Sequence, residues 1–295
     1  MTTDYWSGLC GTTKGHKPAH RSGSKAARGW RGDSRRTWRI LGACLVVAIL
    51  VVDILLVAIR HRLDSGSVAT RLSGTEWVTQ SDFSRTGNHE QEWYEASAAK
   101  IEGSSIELTA DTFAHVRSSP VVSKGIDYPF RSGDIESVDS FLYGTFEMRA
   151  QLPAGSGLWP AFWLVQTPGE PISEIDIMEE EGRLPSTIFN TFIWSYSPIR
   201  HTAEAANTGK NLTDGFHTYG LVWTPTSLRW TFDGKVTKSL MAAQAAAMGT
   251  SIPSRPLRLV ADLAVGSGES VGGAPNTANV FPAVMKIEWI SAQGL

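Results

Sequence analysis

Two hydrophobic patterns divide the chain. Residues 40–59 form an apolar run of twenty positions interrupted only by Asp53. As a helix, such a run spans a hydrocarbon core of roughly 30 Å. A cleaved signal peptide has a shorter run and a small-residue cleavage site. Here a long polar segment precedes the run and Arg60-His61-Arg62 ends it, so the pattern predicts an uncleaved signal anchor. After it the pattern changes to short segments rich in β-branched and aromatic residues, at 105–110, 143–152, 161–165, 174–179, 187–194, 217–224, 227–232, 235–239, 257–265 and 284–291. Gly, Pro, Asn or Asp separates most of them, which reads as strands and turns. Asp233-Gly234 between two such runs is a hairpin signal. Only 240–248, short and Ala-rich, reads as helix. Many short strands without βα alternation predict an all-β sandwich or barrel of antiparallel strands in one domain, residues 77–295.

Charge separates the same regions. Residues 1–39 carry nine Lys/Arg against Asp4 and Asp33, a net +7, so the remainder holds −9 of the chain's −2 total. A Gly/Ser/Lys/Arg-rich segment of this kind predicts a disordered tail. The positive-inside rule places it in the cytoplasm, with 60–76 as a linker and the C-terminal domain outside, a single-pass type II arrangement. An acidic domain argues against nucleic acid as a partner. The only cysteines, Cys10 and Cys44, lie before residue 62, so no disulfide can staple the domain.

The most informative stretch is Glu174-Ile175-Asp176-Ile177-Met178-Glu179. Alternation along a strand puts Glu174 and Asp176 on one face and the isoleucines on the other. Strict alternation would turn Glu179 toward the apolar side, at a cost of several kcal/mol for a buried charge. One extra residue in a β-bulge, Ile177 or Met178, returns Glu179 to the acid face. Glu174 and Glu179 then stand roughly 13 Å apart at Cα. Side chains leaning together can close that to the roughly 5–5.5 Å used by a nucleophile and an acid/base around a glycosidic bond. Asp176 between them crowds negative charge, which raises the proton affinity of one neighbour and helps keep an acid protonated near neutral pH. The alternative is a solvated edge strand with ordinary surface carboxylates.

The flanking residues decide between these. Gly157-Leu158-Trp159-Pro160-Ala161-Phe162-Trp163-Leu164 followed by Ser173 and the acid motif resembles glycoside hydrolase family 16, the laminarinase-type clan. Tyr143–Ala150 (YGTFEMRA), Phe216-His217-Thr218-Tyr219, Trp223-Thr224-Pro225, Arg229-Trp230 with Asp233-Gly234, and Leu263-Ala264-Val265-Gly266 extend the resemblance. Gly87-Asn88, Glu90-Gln91 and Tyr94 match more weakly, and the whole runs over roughly residues 77–290.

The resemblance implies a β-jelly-roll sandwich of two antiparallel sheets and an endo-acting, retaining enzyme on β-glucan. Glu174 is then the nucleophile, Glu179 the acid/base and Asp176 the residue that tunes them. The bulged spacing is that of the laminarinase-like members and points to β-1,3 linkages. Substrate binding falls to Trp159, Trp163, Arg149, His217, Asn88 and Trp194. Bland alternatives stand beside some of these: core packing for Trp159 and Trp163, a salt bridge to Glu147 or another acid for Arg149, and a structural role for His217. The sequence departs from the family pattern at Ile193 before Trp194, at Val222, at Asp262 where Asn is usual, and in the loop 267–280, which lacks a Trp.

The seven His show no HExxH spacing, and no CxxC pair, phosphate-cradling Gly loop or GxSxG elbow is present. No cofactor is required, and a structural calcium stays open. Two other readings remain: a cell-wall glucan transglycosylase using the same residues, and a non-catalytic carbohydrate-binding jelly roll. The second has no need of three converging acids.

Overall fold

The computed structural model describes residues 70–72, 76–85, 88–268, 271–276 and 281–294, all within the compact unit Ala69–Leu295. Among them no helix is long and apolar enough to cross a membrane. The anchor at 40–59, the tail before it and most of the linker lie outside the described residues.

Each of the ten expected strands is present. They belong to two large sheets. One runs in the order Ile199–Asn207, Thr187–Tyr196, Glu174–Glu180, Leu158–Gln166, Leu257–Val265, Asp134–Phe141, Trp77–Thr79. The other runs Lys235–Met241, Ser227–Phe232, His217–Thr224, Gly144–Gln151, Ala283–Gln293, Ser105–Thr112, Phe130–Ser132, Glu92–Tyr94. The helix is Ala242–Ala247. Alternation sends Phe146, Met148 and Ala150 of one sheet, and Leu259, Ala261 and Leu263 of the other, into a single core. The fold is thus an all-β sandwich, as expected, with one difference. Glu92–Tyr94 pairs parallel with Phe130–Ser132, so that sheet is mixed rather than wholly antiparallel.

The Asp233-Gly234 turn has positive φ at both residues, 47° and 74°, the geometry a two-residue hairpin of matching twist demands. Gly157, at φ 91°, opens the Leu158–Gln166 strand where a Cβ would lie 2.3 Å from Pro275 Cα. Any side chain there would displace the start of the strand that carries both tryptophans.

Three strands of the first sheet escaped the hydrophobic pattern, one of them only the three residues Trp77–Thr79. Asp134-Ile135-Glu136-Ser137 reads as polar, yet all four are buried. Arg85 and Arg258, from elsewhere in the chain, form ion pairs with its acids. Ile199–Asn207 is an edge strand, half-buried to exposed throughout, and so carries no apolar stripe to read.

Candidate active site

The acid strand contains the expected bulge. Against Leu158–Gln166, Met178 pairs with Phe162 and Asp176 with Trp163, leaving Ile177 as the extra residue. The register with Thr187–Tyr196 shifts at the same place, between Asp176 and Glu179. Ile175, Ile177 and Met178 all enter the core, while Glu174, Asp176 and Glu179 occupy the sheet's other face. The displaced backbone is satisfied from the core side. Asn190 Nδ2 donates to the Ile177 carbonyl (2.8 Å), and Trp230 Nε1, from the opposite sheet, donates to the Asp176 carbonyl (2.8 Å). A bulge leaves backbone groups unpaired in the ladder, and here side chains fixed in the core take them up.

Each acid has a distinct set of partners. Trp159 Nε1 donates to Glu179 Oε1 (3.1 Å) and Thr191 Oγ1 to Oε2 (3.2 Å). Tyr196 donates its hydroxyl to Glu174, and Glu174 also shares a hydrogen bond with Asp176. Glu179 is pushed up to about 8, first by burial and then by the charge of Glu174. Asp176 is raised well above the ordinary carboxylate range by burial and by both neighbouring glutamates. Burial raises Glu174 too, but the Tyr196 hydroxyl and the Arg85 charge work in the opposite direction. Glu179 receives neutral donors alone, whereas Glu174 has a nearby cation favouring its ionised form. Burial raises both acids, and only at Glu174 does an opposing cation stand among the larger causes.

A second carboxylate cluster lies on the same face. Across the sheet Glu179, Ala161, Asp262 and Asp134 are in register. Asp262 accepts from Trp163 Nε1 (2.7 Å) and Tyr94 Oη (2.8 Å). Arg85 forms an ion pair with Asp134, lies 3.6 Å from Glu136, and stacks over the Trp163 ring at 4.8 Å. Burial opposes the charge on Arg85, but Asp134 and Asp262 outweigh it and hold the guanidinium charged.

The six expected substrate contacts divide. Trp159 and Trp163 lie on the acid face, but only 7% and 9% exposed. Their indole N–H groups hold Glu179 and Asp262, and Arg85 covers a face of Trp163, so neither is an open stacking platform. Asn88 contacts Glu90, with its backbone N–H 3.2 Å from Oε2, and Glu90 feels Asp262 and Arg85; Asn88 therefore belongs to the Arg85 end.

The other three are elsewhere. Trp194 stacks on Phe192 and packs against the core, because alternation gives Ile193, not Trp194, the face of the acids. Arg149 sits between the core residues Met148 and Ala150 of the opposite sheet and so points away from the core. There it pairs with Glu288 (2.5 Å) and donates to the Phe216 carbonyl (3.1 Å). His217, also on that sheet, pairs with Asp233 (2.8 Å) and packs on Phe232. The salt-bridge and structural alternatives hold for these two.

Arg85, Thr191, Tyr196 and Asp134 were not singled out from sequence. Thr191 was findable, since it falls in step with Ile193 on the expected 187–194 strand. Arg85 and Asp134 lie in polar stretches without periodicity, and Tyr196 comes after a register shift between Ile193 and Ser195. Among the described residues no group of three or more His, Cys, Asp or Glu is arranged to hold a metal ion.

Known proteins share this arrangement of sheets. An endo-β-1,3-glucanase structure from Pyrococcus furiosus superposes with a TM-score of 0.63 at 25% identity, over 76% of this chain and 91% of that one. A laminarinase catalytic domain from Thermotoga maritima superposes at 0.64 with 23% identity, covering 78% and 95%, a likeness of fold. By sequence, the endo-1,3-1,4-β-glycanase EglC of Rhizobium meliloti is 30% identical over 226 residues, 74% of this chain but 46% of its own length. Glucan endo-1,3-β-glucosidase A1 of Niallia circulans is 31% identical over 179 residues, 55% of this chain and 26% of its own. The chain thus spans less than half the length of either curated relative. The family model for glycosyl hydrolases family 16 matches residues 85–291, a range that holds the acid strand, both tryptophans and the Arg85 cluster, and this chain belongs to that family.

Proposed function

We propose that the domain hydrolyses β-glucan internally, on β-1,3 linkages, with retention at the anomeric carbon. The observation that carries this is the Ile177 bulge, which sets Glu174, Asp176 and Glu179 on one outer face of the sheet. In the first step the Glu174 carboxylate attacks the anomeric carbon. The glycosidic C–O bond breaks, and its oxygen takes the proton that Glu179 holds. In the second step Glu179 removes a proton from water, whose oxygen displaces Glu174 and restores both acids. Asp176, whose proton affinity burial raises, donates to the Glu174 carboxylate and orients it. The names of the relatives support the substrate class, and the bulged spacing supports the linkage.

Glu174→Gln keeps shape and removes the nucleophile. Turnover of laminarin should fall about 1,000-fold or more while the circular dichroism spectrum and glucan binding persist. More than a few percent residual activity would sink the assignment. Glu179→Ala should regain activity on aryl glycosides whose good leaving groups need no proton, and further with azide, which displaces Glu174 without needing a base to deprotonate it. The same reading places the domain outside the cell on the 40–59 anchor. Protease added to intact cells should then remove the chain after residue 62 and spare the tail before residue 39.

A further inference from the structure

A buried cation lies behind the acid strand. Lys238, only 6% exposed, belongs to the Lys235–Met241 strand of the opposite sheet and points into the sandwich. Its Nζ donates to the carbonyls of Asn190 (2.9 Å) and Thr202 (2.7 Å) and lies 4.8 Å from the centroid of the Trp230 ring. Two of those partners, Asn190 and Trp230, hold the bulge. Asn190 caps the Ile177 carbonyl and Trp230 caps the Asp176 carbonyl. The preceding Thr237 donates to Asn190 Oδ1 (2.7 Å), fixing which way that amide points.

We propose that Lys238 is a positioning residue for the acid pair, clamping the bulge through Asn190 and Trp230 and placing a positive charge behind Asp176 and Glu179. This rests on the glycosidase reading of those acids.

Burying an ammonium costs several kcal/mol unless it is paired, and this one faces two carbonyl oxygens and an aromatic ring. An apolar residue would fill the space without that cost, so a role in stability alone is a poor account of it. The charged groups around it are Glu204, Asp176 and Glu179, which favour its charge, and His201, whose own proton affinity it lowers. Burial nevertheless brings Lys238 down to about 8. Its charge acts on both acids in the direction that favours their anions, against burial and their mutual repulsion. Without it Glu179 would hold its proton to a higher pH, and Asp176 would ionise less.

Lys238→Gln keeps a donor for the two carbonyls and removes the charge, Lys238→Met removes both, and Lys238→Arg keeps the charge. Laminarin hydrolysis by the full chain is measured across pH. The alkaline limb should move up by about half a pH unit or more in the Gln and Met variants, since a charge within reach of a buried acid shifts it on that scale. It should not move up in the Arg variant. In the Met variant kcat should also drop by about tenfold with KM unchanged, as when an interaction made only in the transition state is lost. A purely structural lysine would lower the melting temperature and leave the limb where it is. Limbs that coincide in wild type and Lys238→Gln would overturn the proposal, and an upward shift in Lys238→Arg equal to that in Gln would do so too. If the wild-type chain itself turns over no glucan, the glycosidase reading fails instead, which is a separate result.

Discussion

Two groups of carboxylates share one face of one sheet, yet they are held in opposite ways. Glu174, Asp176 and Glu179 are contacted by an indole, two hydroxyls and each other, and among the described residues no ion pair reaches them. Asp134, Asp262 and Glu136 surround Arg85, with Arg258 pairing Glu136 from the side. Both groups are buried except for Glu174, which is half-buried. The first has no cation in direct contact, and burial raises the proton affinity of all three, with the Glu174 charge adding to the rise at Asp176 and Glu179. In the second, burial raises Asp134 to about 7 and raises Asp262 as well, while the Arg85 charge works the other way on both. Density of acids therefore does not locate the chemistry on this face. On the glycosidase reading proposed above, the group without a contacting cation is the reactive one.

The widest break in that comparison would come from the register. Inserting one residue between Ile177 and Met178 adds a step to a strand whose side chains alternate, so Glu179 turns toward the core or the ladder distorts. Activity should vanish, about 1,000-fold or more, along with part of the stability. Deleting Ile177 restores plain pairing and keeps the acids on one face. It also removes a buried side chain and the carbonyl that Asn190 caps, so activity should fall sharply while circular dichroism still reports a β-sandwich. A fully active insertion variant would cut the link between spacing and chemistry.

Next in size is the cluster around Arg85. Arg85→Met leaves Asp134 and Asp262 buried with no counter-charge, a change that costs about 3–5 kcal/mol in comparable sites. Adding Asp262→Asn should recover part of the loss, since Asn still accepts from Trp163 or Tyr94 without a charge to bury. Melting temperatures of the single and double variants measure this. Equal destabilisation would mean that Arg85 acts by packing on Trp163, Phe83 and Tyr94 rather than by charge.

The acid strand was legible from sequence because its pattern contains a contradiction. Period two and the cost of a buried charge cannot both hold from Ile175 to Glu179 without a bulge. The strands and the Asp-Gly turn were legible for similarly local reasons. Arg85 was not, because the reason for its burial lies in Asp134 and Asp262, far off in sequence. Arg149 and His217 matched motif positions, but alternation says only that a residue leaves one face of its own strand. Which sheet the strand joins depends on pairings such as that of Gly144–Gln151 with Ala283–Gln293, which no local pattern encodes. Trp194 failed for a smaller reason: it follows Ile193 by one residue, and in a strand one residue changes the face.

Glu180 sharpens the comparison at its finest point, because it is the neighbour of Glu179 on the opposite face of the same strand. It is fully buried, and neither carboxylate oxygen has a hydrogen-bond partner among the described residues. Burial, and then the charge of Glu181, pushes it up to about 8, the same value as Glu179. If burial alone made a catalytic acid, Glu180 would qualify, but it points into the core, away from any substrate. The folded state prefers its proton, so its contribution to stability is full below the ordinary carboxylate value near 4.5 and is lost as pH rises through about 8. Glu180→Gln cannot ionise. Its unfolding free energy should therefore decline less between pH 5 and 9, ending about 1–2 kcal/mol above wild type at the alkaline end once the buried amide's own cost is included. At pH 4 the two proteins should unfold at similar denaturant concentrations. Laminarin hydrolysis should keep its pH profile in this variant, while Glu179→Gln loses activity at every pH. A shifted profile in Glu180→Gln would mean that the core-facing acid communicates with the outer face through the strand, and the separation of the two faces would then have to be abandoned.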